Sequence, residues 1–206
     1  MKLYTSNRAP NPRRVRWVMA EKGVSDVELV EVDILTGEHR QPAYRDKVGV
    51  PHLPVLELDD GTCISESIAI CRYLEAVHPE PNLFGRDARE QAIIEMWTRR
   101  CEFYLANPLM LNVRHSHPAL AALEAVQSPH VADYNRASAE RFMKTLDRHL
   151  QGRDFIAADR FTIADIVAVV GLDFARLVRY RPPAEFENLA RWLEACRARP
   201  AAQAGA

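Results

Sequence analysis

The sequence predicts an α/β sandwich of order βαβ then ββα over residues 1–78, followed by an all-helical region over 88–206, with 79–87 as the linker. Three observations carry this expectation. Strand-like, β-branched segments flank one amphipathic helical stretch near the start. The segment His78-Pro79-Glu80-Pro81-Asn82 sets two prolines in a polar context, which stops a helix. Beyond Ala88 no convincing strand pattern remains, only long stretches of helical spacing.

Taken in order, residues 2–6 read as a short strand, and Asn7-Arg8-Ala9-Pro10-Asn11-Pro12 is too rich in turn formers to continue it. Asn11 reads as the N-cap of the next helix and Pro12 as its first residue. Val15, Val18, Met19 and Lys22 share one face, and Gly23 closes the helix. Residues 27–32 give a second strand, so the opening implies a right-handed parallel crossover. After a polar connection, 54–58 and 62–64 form a hairpin through Asp59-Asp60-Gly61, and Ser65 stands where it can cap a helix that turns Ile68, Cys71 and Leu74 to the sheet. In the second region, 88–105, 134–150 and 163–178 read as helices. Thr162 and Asp165 approximate a capping box, Phe161 and Ile166 a hydrophobic staple, and the Ala-rich tail is expected to fray.

Composition narrows the function classes. A hydrophobic fraction of 48% and a charged fraction of 27% belong to an ordinary folded chain. With 27 basic against 28 acidic residues and a net charge of −1, no global field favours nucleic acid or an anionic membrane, and neither is expected as a partner. The start Met1-Lys2-Leu3-Tyr4 lacks the pattern of a secretory signal, and no apolar run approaches the roughly 20 residues that span a bilayer, so a cytoplasmic location is expected. Cys63, Cys71, Cys101 and Cys196 have neither CxxC spacing nor an arrangement with histidines that would bind metal; they read as reduced thiols, and no metal is expected.

Residues 50–75, V-P-H-L-P-V-L-E-L-D-D-G-T-C-I-S-E-S-I-A-I-C-R-Y-L-E, join a proline that opens a strand, a D-G hairpin and an E-S pair at a helix start. This stretch resembles the glutathione-binding signature of the cytosolic glutathione transferases. The opening, the linker and R-F-T-I-A-D-I at 160–166 are similar too, so the likeness covers nearly the whole chain. Within that family, G-E-H-R at 37–40 resembles the plant-type phi class, and A-P-N at 9–11 resembles bacterial, nu-like branches with asparagine near the thiol. The resemblance implies a thioredoxin-like domain at 1–78 that binds glutathione as co-substrate, and an all-helical domain at 88–206 that holds an apolar electrophile.

It also implies roles for single residues. Leu53-Pro54 stands where the family has a cis bond, and the Leu53 backbone groups would pair with the cysteinyl backbone of glutathione like an added strand; a trans proline at a strand start is the plainer alternative. Glu66 and Ser67 stand at a helix start whose unpaired N–H groups and dipole suit a carboxylate. The guest implied is the γ-glutamyl carboxylate, held by Ser67, with Glu66 near the adjacent amino group; the alternative is a pair of helix-start formers. His39 and Arg40 match positions for the glycyl carboxylate and His52 a position beside the ligand backbone, although each also fits a solvated loop.

The position of the thiol is where the chain departs from the family. A free thiol of pKa about 8.5 needs a donor to be a thiolate at neutral pH. Aligned through Arg13-Arg14 and Val15, the serine of phi-like members falls on Ala9, which has nothing to donate. Asn11 becomes the leading donor, with a role as cap equally open. Ser6 and Thr5, at the end of the first strand, come second, Tyr4 reads as packed in the sheet, and Arg8 acts at most electrostatically. Tyr104, Asn107, Met110, Leu111 and His115 are candidates to line the apolar-substrate site, a pattern shared with helix–helix core.

The implied reaction is conjugation of the glutathione thiolate to an electrophilic apolar compound. Glutathione-dependent disulfide reduction and a catalytically idle glutathione-binding or protein-interaction module remain as alternatives. A maleylacetoacetate isomerase is disfavoured, because its serine-cysteine signature is missing from residues 6–14. A homodimer is expected from the family, with Trp97, Phe103 and Tyr104 as apolar contacts.

Overall fold

The structure, a computed structural model, describes residues 1–204. It divides into two units, Met1–Asn82 with the C-terminal residues from Pro200, and Leu83–Arg199.

The first unit holds one mixed sheet of strands β1 (Lys2–Thr5), β2 (Glu28–Glu31), β3 (Val55–Glu57) and β4 (Cys63–Ser65), in the spatial order β2-β1-β3-β4. β1 runs parallel to β2 and antiparallel to β3, which is antiparallel to β4. Helices α1 (Pro10–Glu21) and α3 (Ser67–Val77) pack on each other, and α2 (Pro42–Val48) precedes β3. Strand periodicity sorts the side chains. Leu3 and Leu56 are fully buried, and Tyr4 turns the other way into a cluster with Val32, Tyr44, Val48 and Val55. The hairpin turns at Gly61, whose φ of +86° suits glycine, and is closed by Leu58 N–H to Thr62 C=O at 2.8 Å.

Several local expectations change. The connection before β3 is not merely polar: it contains α2, opened by Pro42 and anchored by Tyr44 and Val48, one helical turn apart and both buried. α1 begins two residues early, with Ala9 as N-cap, Pro10 first and Asn11 second, so Asn11 is not the cap. Ser65 ends β4 rather than capping α3; that position belongs to Glu66, whose φ is +70°. Lys22 is buried as a clamp rather than as part of an apolar face. Its ammonium meets Glu75 at 2.6 Å and the carbonyls of His78 and Pro81 at 2.8 and 2.9 Å. The tail, expected to fray, forms a 3-10 turn at Pro200–Gln203 whose Ala202 C=O accepts from Arg13; the last two residues of that expectation lie outside the described ones.

The second unit is helical: α4 (Ala88–Cys101), a π-helical turn at Glu102–Ala106, α5 (Asn107–Ser116), α6 (Pro129–His149), α7 (Ile163–Phe174) and α8 (Glu187–Arg197). α4 and α5 are one run broken by the π turn, whose closing bond joins Asn107 N–H to the Glu102 carbonyl. Pro108 explains the break, since it has no N–H to return to the previous turn. α6 starts five residues before the expected 134, capped by the Ser128 hydroxyl at Val131 N–H. α7 passes so close to the π turn that a Cβ on Gly171 would lie 2.7 Å from Ala106 Cα, which is why that site is glycine. The Thr162–Asp165 capping box is complete, with Asp165 also accepting from Ile156 N–H and Trp192 Nε1, both at 2.9 Å.

Candidate functional site

The two helix starts of the first unit differ in what they leave open. At α3, Glu66 occupies the N-cap without a side-chain cap bond, in a backbone conformation that L residues rarely adopt. Its carbonyl accepts the first helical bond, from Ile70 N–H at 3.0 Å, so the earlier N–H groups of the turn face outward. Ser67, the first helical residue, is 5% exposed, and its Oγ accepts from Arg14 Nη1 at 3.3 Å. Arg14 itself is 1% exposed. A helix dipole, free N–H groups, a hydroxyl and a buried guanidinium thus converge where a carboxylate was expected.

At α1 most of the usual donors are missing. Pro10 and Pro12 have no N–H, and Ala9 N–H already donates to Ser6 C=O at 3.3 Å. The backbone N–H of Asn11 is the donor that remains in the first turn. The Asn11 carboxamide is half-buried, and its Oδ1 is enclosed without a hydrogen-bond partner. Asn11 is therefore uncommitted where Ser6 is not: the Ser6 hydroxyl, 1% exposed, donates to Glu31 Oε1 at 3.3 Å. Arg16 and Glu31 tie down the loop between β1 and α1 from two sides. Arg16 donates to Asn7 Oδ1 and to Ser6 C=O, and Glu31 accepts Asn7 N–H at 2.9 Å. Burial pulls the Arg16 guanidinium below its usual range while the Glu31 charge opposes that shift. The Thr5 hydroxyl is buried without a partner, and Tyr4 donates its hydroxyl to Glu57 at 2.5 Å, beside Lys47.

The loop after β2 carries His39 and Arg40 in a 3-10 turn at Glu38–Arg40. His39 is buried, and its Nδ1 has no hydrogen-bond partner. Burial first, then the charges of Arg40 and His52, push its imidazole below the usual range, so at neutral pH it offers a hydrogen bond rather than a charge. Arg40 and His52 are exposed, Leu53 is half-buried, and the Leu53–Pro54 bond is cis. The backbone just before that bond is fixed by Tyr44, whose hydroxyl donates to His52 C=O at 2.8 Å.

In the second unit, Tyr104, on the π turn, is 54% exposed and stands 5.7 Å from the Phe142 ring. Asn107, Leu111 and His115 follow it at near-helical spacing; Asn107, Met110 and His115 are half-buried, and Leu111 is exposed. The His115 imidazole is engaged at Nδ1 by Ser128 N–H at 3.2 Å. Trp97, expected as an interface residue, is 8% exposed and stacks on His149 at 3.9 Å, whereas Phe103 is 52% exposed.

Sequence reading missed Arg14, Arg16, Glu31 and Tyr44. Arg14 had a signal: four residues before Val18, it places a charge on the apolar stripe of α1. Glu31 and Tyr44 act through contacts far along the chain and had none.

Two family models match in order: the glutathione S-transferase N-terminal domain over residues 3–82 and the glutathione S-transferase C-terminal domain over 108–200. Glutathione S-transferase 2 of Saccharomyces cerevisiae is 36% identical over 202 residues, which are 97% of this chain and 87% of that protein. A glutathione S-transferase domain-containing protein from Marinobacter aquaeolei has a crystal structure with TM-score 0.92 at 40% identity, covering 98% of this chain and 99% of the other. The crystal structure of Gtt2 from Saccharomyces cerevisiae gives TM-score 0.93 at 35% identity over the whole of both chains. The sheet with its two open helix starts, the helical second unit and these matches together make this chain a member of the glutathione S-transferase family, and a glutathione S-transferase enzyme.

Proposed function

We propose that this enzyme binds glutathione on residues 1–78 and conjugates its thiolate to electrophilic apolar compounds held by residues 88–206. The observation that carries the reading is Ser67, a buried hydroxyl at the first position of an uncapped helix, backed by a buried guanidinium. In this reading Ser67 and the open N–H groups of α3 hold the γ-glutamyl carboxylate, and Glu66 meets its amino group. The Leu53 backbone pairs with the cysteinyl residue, with His52 beside it, and Arg40 with neutral His39 takes the glycyl end. The sulfur then faces the start of α1, where Asn11 supplies the donors that keep it a thiolate.

Tyr104, Asn107, Met110, Leu111 and His115 are the residues we assign to the apolar substrate. The same reading includes a cytoplasmic home and a homodimer, with Phe103 and Tyr104 at the interface; sedimentation of a 23.4 kDa species at micromolar concentration would remove the dimer. Among the described residues no helix is long and apolar enough to cross a membrane.

One purified sample tests the reaction, assayed with glutathione and either a chloronitrobenzene or hydroxyethyl disulfide. Conjugation of the chloronitrobenzene is expected. Turnover of the disulfide alone would make the enzyme a reductase, and no turnover of either with glutathione still bound would make it an idle binding module.

A further inference from the structure

We propose that Arg14 is a positioning residue for glutathione, one that aims the Ser67 hydroxyl at the γ-glutamyl carboxylate and makes carboxylate recognition at α3 depend on a side chain of α1. The proposal rests on the reading of Ser67 as the carboxylate site.

The donor inventory forces the direction. A guanidinium can only donate, and a serine hydroxyl has one hydrogen and two lone pairs. In the Arg14 Nη1 to Ser67 Oγ contact at 3.3 Å, Ser67 is therefore the acceptor, and its own hydrogen is directed to a different atom. Accepting from a cation also polarises the hydroxyl, which makes it a better donor to an anion. A carboxylate on Ser67 would lie one hydroxyl away from a fully buried positive charge.

The surroundings fit this role. Arg14 and Ser67 sit on packed helices and are 1% and 5% exposed, so water does not screen the pair. Cys71, whose ionisation Arg14 favours and Glu75 opposes, is pushed up to about 12 by burial and is a neutral thiol at neutral pH. In this scheme Arg14 acts on glutathione through Ser67, which sets its signature: the affinity for one end of glutathione, not the rate of transfer.

The test is calorimetric binding of glutathione and of an analogue with a carboxamide in place of the γ-glutamyl α-carboxylate, to wild type, Ser67→Ala, Arg14→Met, Arg14→Lys and the Ser67→Ala/Arg14→Met double variant. Arg14→Met is expected to weaken glutathione about ten-fold and the carboxamide analogue less than about two-fold, and to add little to the loss already caused by Ser67→Ala. Arg14→Lys should recover part of the affinity, and KM for glutathione should rise while kcat at saturation stays within about two-fold. Equal losses for both ligands, full multiplication of losses in the double variant, or a fall in kcat at unchanged KM would overturn the proposal. Should Arg14→Met fail to fold, Arg14→Lys decides: unchanged affinity for glutathione, or equal losses for both ligands, overturns the role. A Ser67→Ala variant that binds glutathione like wild type would instead overturn the carboxylate site itself, a result distinct from a ten-fold loss in Ser67→Ala with no effect at Arg14.

Discussion

Three helices of the second unit start in the opposite way to those of the first; α5, which continues the run of α4, and α8 have no side-chain N-cap. In the second unit α4, α6 and α7 are closed by side chains: Asp87 accepts Glu90 N–H at 2.8 Å, Ser128 accepts Val131 N–H, and Thr162 with Asp165 forms a full capping box. In the first unit none of α1, α2 and α3 has a side-chain cap. A helix start that satisfies its own N–H groups is scaffold, whereas one that leaves them open has donors to spend on a ligand. α1 and α3 differ again. α3 offers several N–H groups, a hydroxyl and a cation, the set for a carboxylate. α1, stripped by two prolines, offers Asn11 alone, which suits a single sulfur.

The largest expected effect lies on the closed side of this contrast. Asp165 is fully buried and accepts from Ile156 N–H, Thr162 N–H, the Thr162 hydroxyl and Trp192 Nε1. Asp165→Ala leaves those donors buried without a partner, so unfolding free energy should fall by about 3–5 kcal/mol in a denaturant titration. Glutathione affinity of the folded fraction should be unchanged. A loss of affinity matching the loss of stability would erase the distinction between closed and open starts.

A smaller effect tests the start of α4. Glu90 pairs with Arg160 through both carboxylate oxygens and accepts Arg86 N–H at 2.7 Å, and these contacts, Arg160 foremost, hold its carboxyl down to about 2. A carboxyl depressed in the folded state contributes stability above its unfolded value near 4.5, and loses it as pH falls from there towards 2. Glu90→Gln should therefore cost about 1 kcal/mol at pH 7, since the pair is partly exposed, and almost nothing near pH 2. Thermal melts of both proteins across that range check the sign; a difference that grows on acidification would show that the pair does not act through charge.

What was legible in the sequence follows the same contrast. Local signals worked where structure is local: the D-D-G hairpin, the Thr162–Asp165 box and the E-S pair at α3 each needed only neighbours in the chain. They failed where a partner lay far away. Glu31 secures Ser6 and Asn7 from another strand, Tyr44 holds the His52 carbonyl from a helix that the sequence disguised as a polar loop, and Arg14 reaches Ser67 across two helices. The start of α1 was misread for a chemical reason: asparagine is a good N-cap, but with prolines at both 10 and 12 the chain used the first, and Ala9 took the cap without a side chain to contribute. The residues proposed for the apolar substrate were legible only as a helical stripe, because an apolar face that binds and one that packs carry the same pattern.

That shift at α1 also separates two roles that the sequence left entangled. Since Asn11 is not a cap, Asn11→Ala should change stability by less than about 0.5 kcal/mol, so any effect on the bound thiol is its own. The most direct measurement is the thiolate absorbance near ~240 nm of the glutathione complex against pH, for wild type, Asn11→Ala and Ser6→Ala. The expected result is a thiol pKa raised by about one unit or more in Asn11→Ala, the worth of one hydrogen bond to a charged atom, with affinity within a few-fold and Ser6→Ala titrating like wild type. An Asn11→Ala complex that titrates like wild type while Ser6→Ala is shifted would contradict the account, and would make the Ser6 hydroxyl, released from Glu31, the donor to the sulfur.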